Sequence, residues 1–209
     1  MRNINWVAEV TDTEEPRTST SKRSSGSSRK DRVESSNNTI FYYSEVDRGQ
    51  ILTLNKYLKN LEVNLINRSI ALGSEQNANI NLHINSYGGS VFAGFAALDY
   101  IKKSKVPVHT FIDGCAASAA TMMSVVGAHR SMHEHAFMLI HQLSAGSWGK
   151  YEELKDDMKN NELLMKKIKE IYKEHTKIPK TQLNNILKHD LWWDAKTCLK
   201  YGLVDDIVT

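Results

Sequence analysis

From residue 40 onward the chain alternates between short apolar runs of strand period and longer segments of helical period, and this alternation limits the fold more than any other feature. Residues 40–43 (Ile40-Phe41-Tyr42-Tyr43) read as a strand. Ile51, Leu54, Leu58, Leu61 and Leu65 then recur at spacings of three and four, one face of a helix. Residues 80–84 alternate like a strand and run into the turn signal Asn85-Ser86-Tyr87-Gly88-Gly89. Val91, Phe95, Leu98 and Ile101 mark the next helix face. Pro107 opens a strand over 108–112 that is expected to stop at Asp113-Gly114, and residues 116–127, rich in Ala and Met, predict a buried helix. Residues 136–140 form a fully apolar strand ending at His141. A long amphipathic helix is expected over 152–175, with Leu154, Met158, Ile168 and Tyr172 on one side, and a last helix over 181–188. Alternating strands and helices predict an α/β fold with βαβ units and mostly parallel strands.

Composition fits one domain of ordinary size: 209 residues, 41% hydrophobic and 24% charged. The clean apolar run at 136–140 is far short of the roughly 20 residues of a spanning helix, so no membrane is expected as partner. A net charge of +3 gives no electrostatic reason to expect nucleic acid. Two cysteines, Cys115 and Cys198, suit a reducing compartment, and the N-terminus lacks the apolar core of a secretory signal. The location expected is cytoplasmic. Residues 11–39 are dominated by Ser, Thr, Arg, Lys and Glu and cannot bury enough surface to offset ordering. Residues 1–39 are therefore expected to be a disordered or flexible extension, with the domain at 40–209.

Three strand ends carry residues capable of chemistry. Gly88-Gly89 follows the strand at 80–84, Ser118 follows the strand at 108–112, and His141 follows the apolar strand at 136–140. Ligands of α/β sheets gather where strands end and helices begin. A serine becomes a useful nucleophile when a base lies beside it, and His141 is placed to be that base. Ser118 sits among Ala116, Ala117, Ala119 and Ala120, small neighbours that let backbone N–H groups approach a carbonyl oxygen. Singly, a Ser at a helix start reads as an N-cap, a His after a strand as structural, and Gly-Gly as a turn. Their shared edge is what carries the inference. His129, His133 and His135 with Glu134 fit no standard helical zinc spacing and read as a solvated loop, so no metal site is expected. No phosphate-binding loop of the Gly-x4-Gly-Lys type is present.

Residues 84–97 (INSYGGSVFAGFAA), 114–118 (GCAAS) and 138–142 (MLIHQ) resemble, in order, the proteolytic subunit of the Clp protease. Tyr201-Gly202-Leu203-Val204-Asp205 resembles the C-terminal end of the same ClpP-like family, and the match spans about residues 40–208. The resemblance implies a ClpP/crotonase-like α/β fold whose helix at 152–175 is the handle between rings. It implies a serine endopeptidase with Ser118 as nucleophile, His141 as general base and Asp190 as the third member. The backbone N–H groups of Gly89 and Ala119 would form the oxyanion hole. No cofactor is implied. The implied partners are further copies of the chain in stacked heptameric rings, a separate AAA+ unfoldase that supplies ATP hydrolysis, and polypeptide substrates. Phage capsid maturation proteases and catalytically inactive subunits of the same fold are the alternatives. Acyl-CoA enzymes of the crotonase type would want an acid near Ser118, and the sequence offers a Ser and a His instead. The chain departs from the family's pattern at three places: Tyr87 and Leu143 stand where Pro is usual, and His189 where many members have Arg.

Overall fold

The computed structural model describes residues 32–73 and 78–209. Strands β1 (Arg32–Ser36) and β2 (Thr39–Tyr43) form an antiparallel hairpin through Asn37, whose φ of +54° is one that Asn tolerates. Val33 is buried in this hairpin, so an ordered strand begins at Arg32 rather than at Ile40. This strand lies ahead of the expected boundary at residue 39, because strand hydrogen bonds can hold a polar segment on one apolar anchor. Residues 1–31, including the rest of the expected extension, lie outside the described residues.

Helix α1 (Arg48–Leu72) starts where Asp47 accepts a hydrogen bond from the Gln50 N–H, 2.8 Å, and buries the expected face of Ile51, Leu54, Leu58 and Leu61. Strand β3 (Ile80–Ser86) alternates as read: Ile80, Leu82, Ile84 and Ser86 are buried, and Asn81, His83 and Asn85 face outward. Helix α2 (Val91–Lys103) is capped by the Ser90 hydroxyl. Strand β4 (Val108–Ala117) does not stop at Asp113-Gly114. Gly114 takes a φ of +85° and makes a bulge: from Ile84↔Ile112 to Ser86↔Ala116, β3 advances two residues while β4 advances four. Helix α3 (Ala119–Ser124) is accordingly shorter than the predicted 116–127, since Ala116 and Ala117 remain in the strand.

The expected loop around His129 is strand β5 (His129–His133), paired with β4 on one side and with the C-terminal β8 (Asp206–Val208) on the other. Strand β6 (Phe137–Leu139) pairs with the part of β4 beyond the bulge and with β7 (Trp192–Asp194). Helices α4 (Tyr151–His175), α5 (Lys180–Ile186) and α6 (Ala195–Lys200) complete the chain. All strand pairs are parallel except β1–β2 and β6–β7, in the main order β1-β2-β3-β4-β5-β8. Past the bulge β4 changes neighbour from β5 to β6, so the sheet forks. No helix of the described residues is long and apolar enough to cross a membrane.

Candidate active site

Ser118 stands at the junction of β4 and α3 with φ +53° and ψ −124°. Among the described non-glycine residues only Ser118 and Asn37 have positive φ. Such a conformation costs about 1–3 kcal/mol and persists only where its surroundings enforce it. Here the Ser118 N–H donates to the Leu139 carbonyl, 2.9 Å, which continues the β4–β6 ladder to the serine itself. The Ser118 carbonyl accepts from the Thr121 N–H, 3.0 Å, and from the Thr121 hydroxyl, 2.6 Å. The Tyr172 hydroxyl of α4 donates in turn to Thr121 Oγ1, 2.5 Å. Burial raises the Tyr172 phenol to about 12, so it remains a donor.

His141 follows β6 and is fixed by its neighbours, with Ile140 buried and the Gln142 N–H donating to the Leu187 carbonyl, 2.7 Å. Its Nδ1 lies 2.9 Å from Asp190 Oδ1, and the His side chain is 15% exposed against 74% for the Asp. Asp190 lies in the turn between α5 and β7. A carboxylate only accepts, so Nδ1 carries the hydrogen and a neutral ring leaves Nε2 with its lone pair. Gly89, Ser118, Ala119, His141 and Leu143 line one cleft, with Ile168 of α4 also in its wall. The Gly88-Gly89 turn is held by Val46, whose N–H donates to the Gly88 carbonyl, 2.8 Å, and whose carbonyl accepts from Ser90, 2.7 Å. The residues singled out from the three strand ends thus meet in one cleft, and Asp190 reaches it through His141.

The cysteines offer no rival nucleophile. Burial pushes the Cys198 thiol to about 12 and also raises the Cys115 thiol, which points its S–H toward Asn85 Oδ1 at 3.5 Å. Tyr87 is exposed and meets Trp192 edge to face, ring centroids 6.4 Å apart. Trp193 is instead stacked on Tyr201 at 4.7 Å. Of the histidines near one another in sequence, His129 pairs with Asp206 at 3.1 Å, while His133 turns to Asp113 at 3.2 Å. Among the described residues His83, Asp113 and His133 are the one group of three metal-capable side chains brought together. Sequence spacing missed it, because its members come from three strands. Burial opposes ionisation of Asp113, yet hydrogen bonds from His83 and Tyr43 and the two imidazoles outweigh it and hold this carboxyl below its ordinary value.

A mostly parallel α/β sheet with a Ser–His cleft at the ends of its strands and an Asp behind the His has the layout of a serine hydrolase. Residues 34–209 match the family described as Clp protease. The chain is 33% identical over 172 residues to an ATP-dependent Clp protease proteolytic subunit of Streptococcus mutans, covering 79% of this chain and 88% of that one. It is 29% identical over 170 residues to the subunit of the same name from Deinococcus radiodurans, covering 79% and 83%. A solved structure of a ClpP1 mutant from Listeria monocytogenes superposes with a TM-score of 0.70 at 26% identity, over 82% of this chain and 91% of that chain. The chain belongs to the Clp protease family and is a Clp-type peptidase.

Proposed function

We propose that the chain is a serine endopeptidase of the Clp type, the proteolytic subunit of a self-compartmentalised protease, in which Ser118, His141 and Asp190 act as the catalytic triad. The observation that carries this reading is the 2.9 Å contact between His141 Nδ1 and Asp190 Oδ1 beside a cleft that also holds Ser118. His141 Nε2 takes the Ser118 hydroxyl proton as Oγ attacks a peptide carbonyl carbon. Asp190 keeps the ring in the right tautomer and stabilises the imidazolium that forms. The backbone N–H groups of Gly89 and Ala119 receive the oxyanion, an interaction worth about 3 kcal/mol per donor. The imidazolium then protonates the leaving amine, and water, activated by the same imidazole, hydrolyses the acyl-enzyme. The triad needs neither metal nor cofactor.

Substrates are unfolded polypeptides. Their delivery requires a separate AAA+ unfoldase, because this sequence has no phosphate-binding loop of its own. The chain works in the cytoplasm as stacked heptameric rings, with α4 as the handle between them. Exposed Tyr151, Leu154 and Met158 at spacings of three and four along α4 support that role, since an apolar stripe on a single chain suits burial against another copy. The test is labelling of the purified chain with a fluorophosphonate probe, beside Ser118→Ala, with both proteins passed over a sizing column. Labelling of the native chain that vanishes in the variant at an unchanged elution volume is the expected result. Labelling that survives in Ser118→Ala would remove Ser118 from its role.

A further inference from the structure

His83 on β3, Asp113 on β4 and His133 at the end of β5 occupy neighbouring strands on one face of the sheet. The registers His83↔Phe111 and Phe111↔Ser131, with the two-residue period of a strand, set Asp113 and His133 on the same side as His83. This is the face opposite buried Leu82, Ile84 and Ile112. His83 Nδ1 is 2.8 Å from Asp113 Oδ2, His133 Nε2 is 3.2 Å from Asp113 Oδ1, and the three ligand atoms lie within 4.8 Å of one another.

We propose that His83, Asp113 and His133 form a binding site for a divalent transition-metal ion such as zinc, bridging β3, β4 and β5 on the face away from the proposed triad's helix α3. Ligand atoms about 2.0–2.2 Å from one ion sit roughly 3–3.5 Å apart, close to the two Asp–His spacings of 2.8 and 3.2 Å, so that binding draws in chiefly the wider separation, which is at most 4.8 Å. Two imidazoles and a carboxylate suit zinc, cobalt, nickel or iron and not calcium or magnesium, which prefer all-oxygen sets.

Two further features favour an ion over a plain hydrogen-bonded cluster. Asp113 Oδ1 is buried and accepts no hydrogen bond, although His133 Nε2 is near. Buried carboxylate oxygens are normally satisfied, and a cation between Oδ1 and the two imidazoles would satisfy this one. The surroundings also orient the donors in the manner of a metal site's outer layer. The His83 ring is stacked on Phe111, centroids 4.7 Å apart at 9°, and packs against Phe41 at 5.1 Å. The Tyr43 hydroxyl donates to Asp113 Oδ2 at 2.8 Å. Ligands from three strands leave room for water on the solvent side, where His133 is 48% exposed.

The experiment titrates the tag-free, metal-stripped full chain with zinc and with cobalt, by calorimetry and by cobalt visible absorption. One saturable ion per chain is expected, with a visible cobalt band and a raised melting temperature. His133→Ala, on an exposed position, and Asp113→Asn should each weaken binding at least tenfold, while His135→Ala should not. The metal-free melting temperature of His133→Ala, expected to match the native chain, separates loss of a ligand from loss of the fold. Absence of saturable binding, or binding unchanged in His83→Ala/His133→Ala, would overturn the proposal. None of these readouts depends on peptidase activity.

Discussion

A Cβ added at Gly88 would lie 2.6 Å from the Ala117 carbonyl oxygen and 2.7 Å from Ser118 Cβ, at a φ of +99° that side chains rarely adopt. Gly88→Ala therefore has to push the serine or unwind its own turn. The expected outcome is a loss of about 1–3 kcal/mol of stability and at least a hundredfold loss of peptide cleavage, checked by thermal unfolding and a fluorogenic peptide assay. Asp190→Asn keeps the shape at the His141 pair but reverses its polarity, favouring the wrong tautomer, and should lower kcat about 10⁴-fold with assembly intact. Gly88-Gly89, Ser118 and His141 were legible as candidates because each follows an apolar strand and a strand end is where such folds place ligands. Asp190 carries no comparable local signal. It sits in a polar turn, its side chain is mostly exposed, and its relation to His141 exists only once α5 and β7 are folded. Family resemblance was needed to single it out.

Strand β5 was misjudged as a loop because pairing on both sides, with β4 and β8, can hold a strand that its own composition does not announce. Strand β5 is His-Arg-Ser-Met-His, and only Ser131 and Met132 are buried. Arg130 in this strand does much to fix it in place. Its Nε donates to Asp205 Oδ2 at 3.0 Å, its Nη2 pairs with Asp205 Oδ1, and its Nη1 donates to the carbonyls of Gly202, 2.9 Å, and His175. Arg130→Ala should cost about 2 kcal/mol, less than a fully buried pair because Asp205 remains about a third exposed, as read from denaturant unfolding. The guanidinium of Arg130, chiefly by hydrogen bonding, holds the Asp205 carboxyl below its ordinary value against the opposing effect of burial. A depressed carboxyl contributes stability that is fully present above its unfolded value, near 4, and is lost as the pH falls through the folded one. The melting temperature of the native chain should thus fall on acidification below about pH 4 with a component that Arg130→Ala lacks. Strand β3, by contrast, was read to within two residues, and helix α1 was recognised from its one-sided periodicity although it runs on past Leu65 to Leu72.

On the scale of the molecule, the α/β class and the mostly parallel sheet followed from the order of periods along the chain, whereas the fork in β4 did not. Asp113-Gly114 reads as a stop, and only the two neighbours waiting on either side turn it into a bulge within a continuing strand. The exposed stripe of α4 belongs to the same scale. Met158, 61% exposed, contributes little to the single chain's core. Met158→Glu should leave the circular dichroism spectrum unchanged and shift the sedimentation profile to smaller species, provided this stripe is the contact between copies.

The fork also divides the molecule into regions of unequal persistence. His141 follows β6 and Asp190 precedes β7, so both ride on a two-stranded ribbon joined to the main sheet through the last residues of β4. Three-residue strands at a sheet margin open more easily than a strand flanked along its length. The amide hydrogen of Ser118, which donates to the Leu139 carbonyl of β6, should exchange with solvent through partial openings, whereas those of Thr110 and Ile112 should require the whole domain to unfold. The proposed catalytic histidine and its carboxylate would then detach together and return together, so that under mild denaturant the chain loses its chemistry well before it loses its shape.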